Sequence, residues 1–242
     1  MDLSRPFGYA FEDERWKEKL GVGCLIYMVP ILNFAVVGYG VQIERAVVAG
    51  DPRPLPDWND LGTLFKDGAL LTLAYMLYGL PMLVVGLGGL GTAVVLGLAI
   101  AATGSTVMGI LTGLAVAALA GLTNWALSLI IGFLSPVIAV QYARWGTFGS
   151  CFAFGEMAAL IRRNSGNYLT AWGTHFVGRI TLTTLLPIVA MFLSFIPIIG
   201  SLLTLLAFMA GYLYLALILA HVYGQLMAED PGIPMYHDSG PG

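Results

Sequence analysis

The chain has 242 residues, of which 58% are hydrophobic and 10% charged, and a formal net charge of −3. Ordinary soluble domains carry roughly 45–50% apolar and about 25% charged residues, so a water-soluble fold is excluded. The few basic residues form no patch, which excludes a nucleic-acid partner.

The first apolar run, near residues 20–43, follows an acidic stretch and has no small-x-small cleavage site, so it reads as part of the mature protein. Pro30 and Asn33 interrupt it. It is either one full span or a re-entrant hairpin over 14–48 that turns at Pro30–Asn33, and the broken pattern favours the hairpin. Next, Arg53-Pro54-Leu55-Pro56-Asp57-Trp58 reads as an extended lead-in to a short interfacial helix. That helix would take Asp57 as N-cap, with Trp58, Leu61, Leu64 and Phe65 at helical spacing.

Between Gly68 and Tyr142 there is no Asp, Glu, Lys, Arg or His. A bilayer core of ~30 Å needs about 20 apolar residues per helix, so this run holds several spans. Gly86-Leu87-Gly88-Gly89, Thr103-Gly104-Ser105-Thr106 and Gly121-Leu122-Thr123-Asn124 suggest segments near 68–86, 89–102, 106–121 and 124–142. Two long kinked helices, or three spans, remain open. Gly89, Ala93, Gly97 and Ala101 recur every four residues, as do Gly109, Gly113, Ala117 and Gly121. Small residues at that spacing let two membrane helices approach closely.

Phe148–Asn164 reads as a second interfacial helix, with Arg162 and Arg163 at its C-terminal end, where cations suit the helix dipole. The apolar stretch 168–224 divides at Ile196-Pro197-Ile198-Ile199-Gly200 into helices near 170–193 and 201–224. Val29-Pro30-Ile31-Leu32-Asn33 echoes that turn and suggests a weak internal repeat. The expected fold is therefore all-α. It is a polytopic integral membrane helical bundle of about six spanning helices, with an N-terminal re-entrant hairpin and two interfacial helices. Residues 1–228 form one transmembrane domain, and 229–242 is a Gly/Pro-rich tail with a disordered composition.

Cytoplasmic loops are enriched in Lys and Arg. With the hairpin reading, all of the 11 basic residues except Arg179 fall on one face. With a full first span they divide between two faces. Either way both termini are cytoplasmic, and the location is the cell inner (plasma) membrane.

Several blocks carry a resemblance. They are Pro6-Phe7-x-Tyr9-x-Phe11 with Arg15-Trp16, Pro30-x-x-Asn33 with Gly38-Tyr39, Arg53-Pro54-Leu55-Pro56-x-Trp58, and Ile161-Arg162-Arg163-Asn164 with Tyr168-Leu169-x-Ala171-Trp172. In this order they resemble a family of bacterial and archaeal polytopic membrane proteins classed as a domain of unknown function (four-zero-one-three). The resemblance implies a multi-pass membrane protein and supplies no activity.

The chemistry-bearing residues are few. His175, Arg179 and Thr183, with Trp172, line one side of a spanning helix. An arginine there needs a partner or a route to the interface, and no spanning segment holds an acid. Arg179 and His175 are therefore candidate lipid- or partner-binding residues. Arg53, Arg144, Arg162 and Arg163, with Trp58 and Trp172, suit the headgroup level, where anionic lipid is met. The chain lacks HExxH, GxSxG and a Walker loop, and its apolar segments lack paired carboxylates for acid–base work. Cys24 and Cys151 have no metal-ligand spacing and read as free thiols. No cofactor and no catalytic residue is expected. The expected role is a non-enzymatic scaffold or accessory subunit that contacts lipids and a membrane-protein partner or a second copy. The alternative is a passive channel or small-solute transporter built on broken helices.

Overall fold

A computed structural model describes residues 1–230, and the expected tail lies outside the described residues from 231 on. Among the described residues every regular element is helical. In chain order they are α1 (Arg5–Gly8), α2 (Trp16–Met28), α3 (Asn33–Val48), α4 (Leu61–Ala102), α5 (Thr106–Trp145), α6 (Phe154–Arg163), α7 (Ser165–Leu193) and α8 (Ile199–Ala228). Short 3-10 turns at Tyr9–Glu12 and Phe148–Phe152 precede α2 and α6.

Each helix end has a local cause. Pro30 has no N–H to donate, and α2 stops at Met28 before α3 restarts at Asn33. Gly50 and Gly146 close α3 and α5 with φ values of +76° and +63°, the left-handed conformation that glycine adopts without a Cβ clash. Asp60 caps α4, since its Oδ1 accepts the Thr63 N–H at 3.1 Å. The helix expected from Asp57 is therefore not a separate interfacial element. Residues 53–58 are irregular, and the helix that follows is the start of α4.

Among the described residues four helices are long and apolar enough to cross a membrane: α4, α5, α7 and α8. The expectation was of about six spanning helices, with two long helices in the charge-free run left open. Only Thr103–Ser105 breaks the charge-free run, with Gly104 at φ +96°. The glycines near 86–89 and 121 lie within unbroken helix, as do Pro81 and Pro136. Glycine and proline are more frequent in membrane helices, where no water competes for the backbone groups. The break near Pro197 appears where expected, between α7 and α8. Both copies of the weak repeat are thus turns between helices.

The chain divides into two compact units, residues 75–134 and the remainder. The larger unit packs α8 against α2, α3 and α7, and α1 lies along α8. Its core holds Tyr9, Tyr39, Ile43, Leu64, Leu213 and Leu217. The C-terminal half of α8 is mostly buried there, while its first half exposes Leu202, Leu203, Leu205 and Leu206.

The smaller unit is a helical hairpin closed by small residues. A Cβ on Gly97 would stand 3.1 Å from Gly109 O, and one on Gly113 3.1 Å from Ala93 O. Gly109 packs against Gly97 and Ala101, and Gly89 against Ala120. The first expected seam is fully used. The second is used at Gly109 and Gly113 and then passes to Ala120, because a strict four-residue spacing drifts around a helix of 3.6 residues per turn. Gly121 faces open space.

This predicts opposite signs for two substitutions. Gly109→Leu overpacks the seam and costs about 1–3 kcal/mol, read as a lower thermal midpoint in detergent. Gly121→Ala meets nothing and raises the midpoint slightly, by the ~0.5–1 kcal/mol that Ala gains over Gly inside a helix.

Candidate interfacial site

The larger unit carries three polar clusters. The first closes the charge-free run at its base. Asp67 is the last charge before that run, and it is buried. Its Oδ2 accepts from Arg45 at 2.8 Å, and its Oδ1 accepts the Tyr142 hydroxyl at 3.0 Å. The Arg45 Nε–H also donates to Ala143 O at 2.9 Å. One carboxylate thus ties α3, α4 and α5 together.

The second cluster is built on Lys19. Its ammonium donates to Asp13 Oδ2 and to Leu55 O, both at 2.8 Å, and lies 3.3 Å from Asp57. Burial alone would raise the Asp13 carboxyl, but the Lys19 ammonium and the Arg15 N–H outweigh it and hold that group below the usual carboxylate range. Trp58 stacks on Tyr39 at 4.1 Å and donates its indole N–H to Lys19 O. Tyr39 donates its hydroxyl to Pro56 O. The Arg53–Trp58 block is thereby strapped over α2 and α3. Arg53 itself is exposed and pairs with exposed Glu14 at 3.1 Å.

The third cluster centres on Asp230. Arg144, 3% exposed, reaches its Oδ2 at 3.3 Å, and Arg163 reaches the same oxygen at 3.1 Å. Arg144 therefore presents no free guanidinium to a headgroup. Arg162 is exposed at the end of α6, whose Met157 and Leu160 are buried, so that helix is two-faced as expected. Glu229 and Asp230, assigned to the tail from sequence, belong to the packed part of the chain.

His175 is buried, with Nδ1 2.6 Å from the Tyr223 hydroxyl. Trp172 stacks on Phe176 at 5.4 Å. Arg179 is exposed, and among the described residues no carboxylate pairs with it. The Thr183 hydroxyl is turned back onto Arg179 O, so it does not meet the guanidinium.

Close contacts place Arg179 in height. Its neighbour Gly178 packs on Leu215. Beside Leu215, Tyr214 meets Phe11, and Phe11 meets Trp16 edge-on at 5.1 Å. Gly23 lies against Leu213 and the Trp58 ring. On α3, Gly40 meets Ala220, and six residues lower Phe34 covers Gly68. Arg179, Tyr214, Trp58 and Gly68 therefore occupy nearly one layer, with Trp16 just above it. The charge-free run starts in that layer. Tryptophan and tyrosine are enriched near the membrane–water interface, and a long arginine stem can reach that level from within a span.

The match to known families rests on the same parts of the chain. Residues 22–198 match the model of a family described as "Protein of unknown function (DUF4013)". The chain belongs to that family. The family match covers the Pro30, Arg53 and Ile161 blocks, and the Pro6–Trp16 block lies before it. No curated protein and no solved structure matches the chain.

Asp67, Asp230 and Lys19 are the site residues that sequence reasoning missed. Asp67 and Tyr142 stand at the two ends of the charge-free run, and that symmetry was the available signal. Cys151 is fully buried, and burial pushes its thiol up to about 11. The thiolate is the reactive form, so Cys151 is expected to resist maleimide at neutral pH and to label once the chain unfolds.

Asp230→Ala leaves two arginines facing an emptied site. Removing one partner of a buried pair costs about 3–5 kcal/mol, and the loss is read in detergent thermal melts. Arg53→Ala breaks an exposed pair and shifts stability by less than ~1 kcal/mol.

Proposed function

We propose that the protein is a non-enzymatic, multi-pass subunit of the cell inner membrane, a scaffold or accessory component that works through lipid and partner-helix contacts. The observation that carries this reading is the one-ended distribution of charge. The turns 103–105 and 194–198 hold no charged residue, while every basic residue but Arg179 lies toward the other end of the four long helices. Four crossings return the chain to its starting face, and the positive-inside bias makes that face, with both termini, cytoplasmic.

The α2–α3 hairpin is re-entrant in this reading. Its tip exposes Leu25, Met28, Val29, Ile31 and Leu32, and its base carries the Lys19 cluster. Apolar side chains at a polar-based tip suit the inner leaflet. A groove of about 590 Å³ between α7, α8 and Phe7 adds a lipid-facing surface. The hydroxyls of Thr170 and Thr174 on its wall bond back to their own helix, leaving an apolar lining suited to an acyl chain. Arg179 snorkels to headgroup level, as arginine stems allow, and faces lipid phosphate. The buried ionisable pairs Lys19–Asp13, Arg45–Asp67 and Arg144–Asp230 are engaged with one another, which favours a structural use of charge over catalysis.

Native mass spectrometry after mild-detergent extraction tests the proposal. The expected spectrum retains anionic phospholipid, a second copy or a partner chain. Arg179→Gln is expected to weaken anionic-lipid retention about fivefold, the ~1 kcal/mol of one surface arginine. A bare monomer with no lipid dependence contradicts the reading.

A further inference from the structure

Among the described residues four carboxylates are buried: Asp13, Glu44, Asp67 and Asp230. Three of them are paired, with Lys19, Arg45 and Arg144. Glu44 is the exception. It is 3% exposed, and its Oε2 is buried without a hydrogen-bond partner. It lies on α3, one turn before the end of that helix and outside the four long apolar helices.

Its surroundings offer no counter-ion. One turn away on α3 stand Gly40, Val41, Val47 and Val48, none of them polar. At the level of Glu44, α8 meets α3 backbone to backbone. A Cβ on Gly224 would stand 3.0 Å from Glu44 O and 2.7 Å from Val47 Cβ, and Ala220 meets Gly40 one turn away. The buried titratable groups of the elements around α3 are engaged elsewhere. On α3 itself, Arg45 turns to Asp67 and to Ala143 O, and Tyr39 donates to Pro56 O. On α8, the Tyr223 hydroxyl lies against His175, and His221 Nδ1 lies against the Gln225 amide. On α5, Arg144 goes to Asp230 and Tyr142 to Asp67. On α2, Lys19 holds Asp13, and before it Tyr9 donates to Leu217 O.

A carboxylate taken out of water without a counter-ion is costly, and such a group takes up a proton instead. Burial pushes the Glu44 carboxyl well above its usual range, and the charge of Arg45, spent on Asp67, offsets this only in part.

We propose that Glu44 is a proton-binding site that seats the α2–α3 hairpin on α8. With its proton Glu44 is neutral, and α3 packs on Gly224. Without it a bare carboxylate stands in that contact, and the hairpin loosens from α8. The stabilisation is complete below the ordinary carboxyl value of ~4.3. It is lost as pH rises through the raised value of the folded state. This inference does not rest on the scaffold reading.

The test uses the full chain in mild detergent with two variants, Glu44→Gln and Glu44→Met, the second apolar and of similar length. Infrared spectra are taken at pH 7, where exposed carboxyls are ionised. The wild type is expected to show the C=O stretch of one protonated carboxyl, shifted in heavy water, and both variants are expected to lose it. Hydrogen exchange over residues 33–48 is then followed by mass spectrometry from pH 6 to 8 and corrected for its intrinsic pH dependence. Wild-type exchange is expected to quicken by about threefold to tenfold per pH unit, and exchange in the variants to stay level. Absence of the band from the wild type means an ionised Glu44 and overturns the proposal. A band that survives both substitutions belongs to another carboxyl and also overturns it. Wild-type exchange that stays level with pH overturns the proton-controlled seat. Should Glu44→Gln fail to fold, Glu44→Met carries the comparison.

Discussion

The two ends of the long charge-free stretch of chain are tied together at one buried residue. Asp67 makes that tie. It receives Arg45 from α3 and the Tyr142 hydroxyl from α5, so the first and last turns of the charge-free run share one buried carboxylate. The bond lies where burial makes it costly to leave unpaired.

This arrangement separates two kinds of stability along the same helices. At the charged end, Lys19, Arg144 and Arg163 are paired with Asp13 and Asp230, and aromatic rings such as Trp58 on Tyr39 fill the space between. In the hairpin of residues 75–134 no charge is present, and helix contact depends on glycine and alanine that let backbones meet. Lipid tails are as apolar as leucine, so close packing is the main force left to hold membrane helices together. Arg179 is exposed on α7, in a layer shared with Tyr214 and Trp58.

Much of this was legible in the sequence, and the exceptions have physical causes. Membrane character followed from the charge-free run, and the turns at Pro30, Gly104 and Pro197 from residues that cannot continue a helix. The clusters at Gly86–Gly89 and Gly121 look like breaks by the rules of soluble proteins. They are not breaks in helix, because a membrane removes the water that would compete for their backbone groups. The N-terminus of α4 was misplaced by three residues, since Asp57 and Asp60 are both good caps and only tertiary structure turns Asp57 toward Lys19. Asp230 was invisible as a partner of Arg144. It is 86 residues away in sequence and precedes a stretch rich in glycine and proline. Arg179 was readable as an unpaired arginine, but its height needed the contact between Gly178 and Leu215.

The central claim is that the charge-free run leaves and rejoins the same layer, which the proposed topology makes cytoplasmic. Single cysteines at Asn59, before α4, and at Thr147, after α5, test it directly in a chain with Cys24 and Cys151 replaced by serine. Labelled with an impermeant maleimide, both positions are predicted to react in inside-out vesicles and to stay unreactive in intact cells. Reaction of the two positions from opposite faces would contradict the account.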